Sequence, residues 1–266
     1  MNVPPAGTRP TLMLLHALLA FRDNYIWLLQ DESGACLVVD PGDTAVVERF
    51  LEAHGIALTA ILITHHHADH TGGLDALVAH HRPLVLAPED TRIPGPWLRV
   101  HHGEQPRIPS PELAVQVLGV PGHTRSHVAY LIDSWLFCGD ALFSMGCGRL
   151  FEGDGGDLLT GMQRIAALPD RTRVCPAHEY TLANAAFADI VEPDNGHRAR
   201  RVEQVRALRA QDRPSVPVTL GVERLTNPFL RWEAPGVRAW CRARGEDGDP
   251  ARRLAAMRRA KDGFRA

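Results

Sequence analysis

Residues 59–73 read TAILITHHHADHTGG, which sets four histidines and an aspartate into six consecutive positions directly after an apolar run. His65 and His67 are two apart, so on an extended backbone their side chains leave on the same side. Asp69 and His70 follow as the chain turns toward Thr71-Gly72-Gly73. His66 faces the opposite way and is expected to pack behind this group rather than join it. Two imidazoles followed by a carboxylate and a further imidazole are more than one tetrahedral zinc needs, yet they do not close a structural site. Buried without a partner, such groups would cost several kcal/mol each. A metal resolves that cost.

Further ligand types stand in matching positions. His123 follows VQVLGVPG, Asp140 follows LFCG and His178 follows RVCPA, each at the end of an apolar, strand-like run. If those ends share one edge, the groups converge. Seven such residues suit two metals that share a carboxylate and a hydroxide, an arrangement that stabilises both the attacking and the developing oxygen. The histidines at 16, 54, 80, 81, 101, 102 and 197 are expected to be hydrogen-bonded core or rim residues. His127, close to His123 in GHTRSHVAY, is expected to support the site without ligating.

The elements that must position these groups are legible as short runs bounded by turn residues: YIWLL, ACLVVD, TAILIT, PLVLA, LAVQVLGV, HVAYLI, WLFCGD and RVCPA. Helical patterns lie between some of them, TAVVERFLEAHG with Gly55 as its stop and GLDALVAHH. From about Tyr180 the character becomes helical, through LANAAFADIV, HRARRVEQVRALRAQ, GVRAWCRARG and DPARRLAAMRRAKDGF. A boundary near 176–182 divides the chain into 1–178, which carries the ligand types, and 179–266.

Composition narrows the function classes. A net charge of −2 over 266 residues provides no global field toward nucleic acid or an anionic membrane. No apolar segment approaches the roughly 20 residues that span a bilayer. The run LMLLHALLAF has only Arg9 before it and flows into RDNYIWLL, which reads as strand–loop–strand rather than an export signal. Five cysteines without a C-x-x-C pair argue against a disulfide framework and a thiolate zinc site, and for a reducing, cytoplasmic setting.

The ordered stretches THHHADHTGG, PGHTRSHVAY, FCGDALF and AHEYT resemble the motifs of the metallo-β-lactamase superfamily. The resemblance implies an α+β fold, an αββα sandwich with a binuclear site at one edge of its two sheets, followed here by a C-terminal helical domain. It implies one metal on His65, His67 and His123, a second on Asp69, His70 and His178, and Asp140 as the bridge. FRDNYIWLL, GCGRLFEG, NPFLR and the closing MRRAKDGF are similar to the glyoxalase II, or hydroxyacylglutathione hydrolase, family, and the likeness runs through all but the first ten residues. The activity implied is hydrolysis of S-D-lactoylglutathione to D-lactate and glutathione by a metal-bridging hydroxide, with Asp69 and Asp140 as the catalytic carboxylates that position it. His and carboxylate ligands point to zinc and also admit iron or manganese.

The tail carries its own argument. Asp249 suits an N-cap and Pro250 the first helical position. Arg258 and Lys261 are three apart and share a helical face, as a ligand with two free carboxylates would require. Lys261 is the only lysine among 29 basic residues. The family resemblance gives this pair to the glutathione moiety, with Arg149 and Tyr180 beside it. Arg252, Arg253 and Arg259 are expected on a solvated face. Phe151 stands where some relatives have tyrosine, Ala68 replaces a bulkier residue, and Ser126 replaces a glycine. A mononuclear iron dioxygenase acting on glutathione persulfide needs fewer ligands and no helical domain. A nuclease would want a basic surface, and a non-catalytic metal-binding module would not leave its site open to water.

Overall fold

The computed structural model describes residues 13–265. Its first sheet is ordered β1 (Leu14–Ala20), β2 (Asn24–Gln30), β3 (Ala35–Val39), β4 (Ala57–Leu62), β5 (Leu84–Pro88) and β6 (Leu98–Val100). A small hairpin, β7 (Arg107–Pro109) with β8 (Glu112–Ala114), leads to the second sheet. That sheet runs β15 (Val218–Thr219), β14 (Arg173–Pro176), β11 (Trp135–Gly139), β10 (Val128–Ile132) and β9 (Gln116–Gly119). The run LAVQVLGV is therefore two strands, broken at Val115, rather than one.

Strand β2 shows why the sheets stack. Trp27 and Leu29 belong to a core shared with Val117, Tyr130 and Phe137 of the second sheet. Ile26 and Leu28 turn the other way, onto Val47 and Leu51 of α1 (Thr44–His54) and Leu77 of α3 (Leu74–His81). Side chains alternate across a strand, so a strand covered on both faces reads as a continuous apolar run. Trp27 also donates its indole N–H to the Pro176 carbonyl at 2.9 Å and thereby ties the two sheets together. α1 is capped by Asp43 and stops at Gly55 in the left-handed region, as its sequence implies.

α2 is a single turn, Ala68–Thr71, inside the histidine cluster. α4 (Gly155–Ala166), which the sequence reading missed, opens on a reciprocal capping box of Asp154 and Asp157. Helices α5 (Thr181–Val191), α6 (Gly196–Arg209), α7 (Leu220–Thr226), α8 (Pro235–Arg242) and α9 (Pro250–Asp262) follow. The helical region also returns β15 to pair with β14, which helical periodicity could not announce. Arg253 departs from expectation as well. It is 3 % exposed and donates to the Trp232 carbonyl at 2.9 Å, whereas Arg252 and Arg259 do lie outside and pair with Glu246.

Candidate metal centre

Strands β3, β4 and β5 are mutually parallel, as are β11 and β14, while β9 reaches β11 through two antiparallel steps. Within each sheet the carboxyl ends therefore fall on one edge. The Thr64–His70 loop leaves β4 there, His123 follows β9, Asp140 follows β11 and His178 follows β14. Gly139 is obligatory at this edge: its φ is +49°, and an added Cβ would sit 2.4 Å from Thr64 Oγ1.

Two groups of ligand atoms converge, His65 with His67 and His123, and Asp69 with His70 and His178, each set lying within 4.8 Å of one another. In the first, His65 Nε2 and His123 Nε2 both stand 3.0 Å from His67 Nδ1. Their outer nitrogens decide what they present. His65 Nδ1 donates to Thr64 Oγ1 at 3.0 Å, because that hydroxyl already gives its proton to Asp40. His123 Nδ1 donates to the Arg149 carbonyl at 2.9 Å. Both inner nitrogens are thus bare lone pairs aimed at a third imidazole nitrogen. One proton on His67 could satisfy only one of them, and burial with the His123 ring pushes His67 down to about 4. A cation satisfies all three.

In the second group His70 Nδ1 donates to Asp40 Oδ2 at 2.9 Å and His178 Nδ1 to Asp23 Oδ1 at 2.8 Å. Their Nε2 atoms face Asp69 Oδ2 at 3.5 and 3.4 Å. Asp140 spans the groups, with Oδ1 at 3.5 Å from His70 Nε2 and 3.3 Å from His178 Nε2, and Oδ2 at 3.5 Å from His123 Nε2. His70 Nε2 and Asp140 Oδ1 are buried without any hydrogen-bond partner, a condition folded proteins avoid. Burial resists charge on His178, yet Asp140, Asp69 and Asp23 outweigh it and push that imidazole up to about 10. Burial likewise opposes ionisation of Asp69 and Asp140, but His178 and His70 hold both carboxyls far below the usual range. One group repels protons and the other concentrates negative charge. Both features fit a pair of divalent cations on a binuclear site.

The supporting residues were mostly not legible in the sequence. Asp40, at φ +52°, accepts from Thr64 N at 2.8 Å as well as from Thr64 Oγ1 and His70. Asn24 donates to Asp69 Oδ2 at 3.0 Å. Asp40 ends a strand before Pro41-Gly42, a position resembling the other strand-end ligands, and that was its only signal. His127 supports as expected: it stacks on His65 at 4.6 Å, and its Nε2 accepts the Asp140 N–H at 3.2 Å. His66 lies behind the cluster, 3.7 Å from Asp90 and from Glu152. Among the other histidines, His80 and His81 pair with Glu48.

A cleft of about 430 Å³ opens over the centre, lined by His123, Asp140, Phe143, Tyr180, Arg258 and Lys261 among others. Tyr180 stacks on His178 with ring centroids 4.7 Å apart. Arg258 is 4 % exposed and donates to the Cys147 carbonyl at 2.6 Å. Lys261 is half-buried, and burial together with Arg258 pushes its ammonium down to about 8. Arg149, at the rim, reaches Asp262 at 3.5 Å. Phe151 is 62 % exposed and packs edge-on against the rings of His67 and His123.

Both parts of the chain resemble known proteins. Residues 19–178 match the profile of the metallo-beta-lactamase superfamily, and residues 179–264 match that of the hydroxyacylglutathione hydrolase C-terminus. A hydroxyacylglutathione hydrolase of Photobacterium profundum is 46 % identical over 254 residues, covering 95 % of this chain and all of that one. Another, from Xanthomonas euvesicatoria pv. vesicatoria, is 47 % identical over 257 residues, covering 96 % and 100 %. The crystal structure of TTHA1623 in a di-iron-bound form superposes with a TM-score of 0.58 at 25 % identity, covering 82 % of this chain and 100 % of that one.

Proposed function

The chain belongs to the hydroxyacylglutathione hydrolase family within the metallo-beta-lactamase superfamily and is a thioester hydrolase of the glyoxalase II type; on that premise we propose how its residues divide the reaction. The substrate is S-D-lactoylglutathione, with related 2-hydroxyacylglutathiones, and the products are D-lactate and glutathione, the second step of methylglyoxal detoxification. His65, His67 and His123 would hold one metal, and Asp69, His70 and His178 the other, with Asp140 shared between them. We assign zinc, since the ligands are imidazole and carboxylate without thiolate, a set that also takes iron or manganese.

The observation that carries this reading is the two-faced placement of Asp140, between two candidate ligand trios, in a cleft that Arg149, Arg258 and Lys261 also line. When bound, such a metal pair supplies a water acidified to a pKa of about 7 and stabilises charge on the thioester oxygen. The protein does the rest. Asp69 and Asp140 orient the attacking oxygen, and Asn24 restrains Asp69. Arg258 and Lys261, with Arg149 and Tyr180, hold the glutathione end while Phe151 borders the acyl end. The departing thiol has an ordinary pKa of about 8.5, so the thiolate leaves without a general acid. Cys147 reaches the cleft, but burial raises its thiol, and it is not the nucleophile.

We further divide the chain into a catalytic part, 1–178, and a substrate-binding part, 179–266. The adjoining limits of the two family profiles support that division. We place the protein in the cytoplasm. All five cysteines are free and buried, and among the described residues no helix is long and apolar enough to cross a membrane. Metal analysis of active protein together with turnover of lactoylglutathione tests the reading. Two metals per chain and no oxygen uptake with glutathione persulfide are expected; one metal with oxygen consumption would replace it with a dioxygenase.

A further inference from the structure

Between the bridging Asp140 and Arg149 the chain makes a tight hairpin, β12 (Leu142–Phe143) with β13 (Gly146–Cys147), turning at Ser144-Met145. Two-residue hairpins are favoured when the first central residue, or both, has positive φ. Here only the second does, and it is Met145, at φ +58° and fully buried. The turn departs from the favoured geometry, and side chains from distant elements bind its backbone.

The hold comes from the helical part. Glu223 of α7 accepts the Ser144 hydroxyl at 2.7 Å and the Met145 N–H at 2.8 Å. Asn227 lies in the NPFLR stretch, whose role the sequence left open. Its Oδ1 accepts the Phe229 N–H at 3.0 Å, which orients the amide. Its Nδ2 then faces the carbonyls of Phe143 and Gly146 and the Glu223 carboxylate, each at 3.0 Å, so two hydrogens are shared among three acceptors. Asn184 of α5 donates to the Ser144 carbonyl at 3.0 Å. A Cβ at Gly146 would come 2.6 Å from the Asn184 amide carbon, so the contact requires glycine. With Arg258 on the Cys147 carbonyl, four of the hairpin's backbone carbonyls are received by side chains from beyond residue 180.

Both ends of this hairpin are tied to metal ligands. Asp140 lies two residues before it. Two residues after it, the Arg149 carbonyl takes the outer proton of His123. Its Phe143 ring packs edge-on against His178 at 5.8 Å and Tyr180 at 5.1 Å. A shift of the hairpin would therefore move the bridge, retune His123 and uncover His178 together. Glu223 and Asn227 are both fully buried and lie outside the cleft lining, so they touch neither substrate nor ligand atoms.

We propose that Asn227 and Glu223 are positioning residues of the metal centre, acting through the Leu142–Cys147 hairpin. This inference rests on the ligand assignment above. The helical part is then a template for the metals as well as a wall for the substrate.

Zinc titration of metal-free full-length protein against a competing chelator, paired with kcat and KM of the reloaded enzyme, tests this. Asn227→Asp turns an amide donor into an acceptor facing three acceptors, and Glu223→Gln removes one acceptor at constant size. Partners that orient metal ligands change metal affinity or activity by about 10–100-fold. Asn227→Asp is expected to weaken zinc binding at one or both sites at least about tenfold and lower kcat in parallel, with KM within twofold; Glu223→Gln should do the same more weakly. Glu203→Gln, on the exposed face of α6, is the control. A lower Tm with zinc affinity and kcat within twofold of wild type, measured where the variants are folded, would overturn the proposal. If Asn227→Asp does not fold, Glu223→Gln and Ser144→Ala decide by the same criterion. A wild-type chain that fails to bind two zinc ions would instead overturn the ligand assignment.

Discussion

At the sheet edge nearly every imidazole has its outer nitrogen tied: His65 to Thr64, His70 to Asp40, His123 to the Arg149 carbonyl and His178 to Asp23. The cationic lining of the cleft is built differently. Lys261 makes no ion pair among the described residues, and Arg149 is mostly exposed with a single long contact to Asp262. Arg258 is the exception, buried and bonded to the hairpin. The contrast separates two jobs. Ligands for small cations must stand within a few tenths of an ångström, so each is fixed by a second bond. Cations that receive a flexible peptide's carboxylates can adapt, and their contribution is to affinity more than to rate. Arg258 straddles the two roles.

The largest effect should come from the edge. Asp140→Ala removes a charge facing both ligand trios and leaves two cations to repel each other. Loss of at least one metal and a fall in kcat of about three decades or more are expected, while Asp75→Ala, on the exposed side of α3, does little. Elemental analysis with steady-state kinetics measures both, and retention of two metals with near-normal turnover would break the assignment.

One step out from the metals, Asp40→Asn sharpens the comparison. It leaves the size unchanged but cannot accept from His70 Nδ1, Thr64 N and Thr64 Oγ1 at once. A loss of about 10–100-fold in metal affinity is expected, read by zinc competition. An unchanged affinity would mean that the edge is no more constrained than the cationic lining.

For the cationic lining the expected signature moves from kcat to KM. Discounted for partial exposure, a charge-assisted bond from Lys261 is worth about 1–2 kcal/mol, so Lys261→Ala should raise KM about five- to thirtyfold with kcat nearly unchanged. Arg258→Ala should raise KM and also lower kcat, because it frees the Cys147 carbonyl. The ammonium of Lys261 is pushed down to about 8, by burial first and then by Arg258. In the free enzyme it therefore loses charge as pH rises through 8, and KM should climb above that pH in wild type but not in Lys261→Arg. A small thioester without glutathione's carboxylates should ignore both Lys261 substitutions, while Arg258→Ala should still lower its turnover through the freed Cys147 carbonyl. Equal damage to both substrates from Lys261→Ala would remove that lysine from the binding account.

The smallest effect belongs to Phe151→Tyr. The ring is largely solvent-exposed and packs only edge-on against His67 and His123. A new hydroxyl at that rim should lower KM by no more than about threefold, from a net hydrogen bond of about 0.5 kcal/mol.

What the sequence determined by itself was the chemistry and its approximate address. The H-x-H-x-D-H spacing and the candidate ligands after VQVLGVPG, LFCG and RVCPA were readable because these groups stand where apolar strands stop, and apolar runs are local patterns. The α9 cap at Asp249 and Pro250 was local in the same way, and the structure has it there. Tertiary structure alone decided the residues that support the site. Asp40 meets His70 across 30 positions, Asp23 meets His178 across 155, and Glu223 meets Ser144 across 79. No spacing announces such pairs, because an isolated Asp, Asn or Glu is ordinary in any window until the fold brings its partner to it. For the same reason Arg253 read as a solvated surface residue and is buried. Local periodicity reports what a segment prefers, and only the packing of distant segments settles which polar group is left needing a partner.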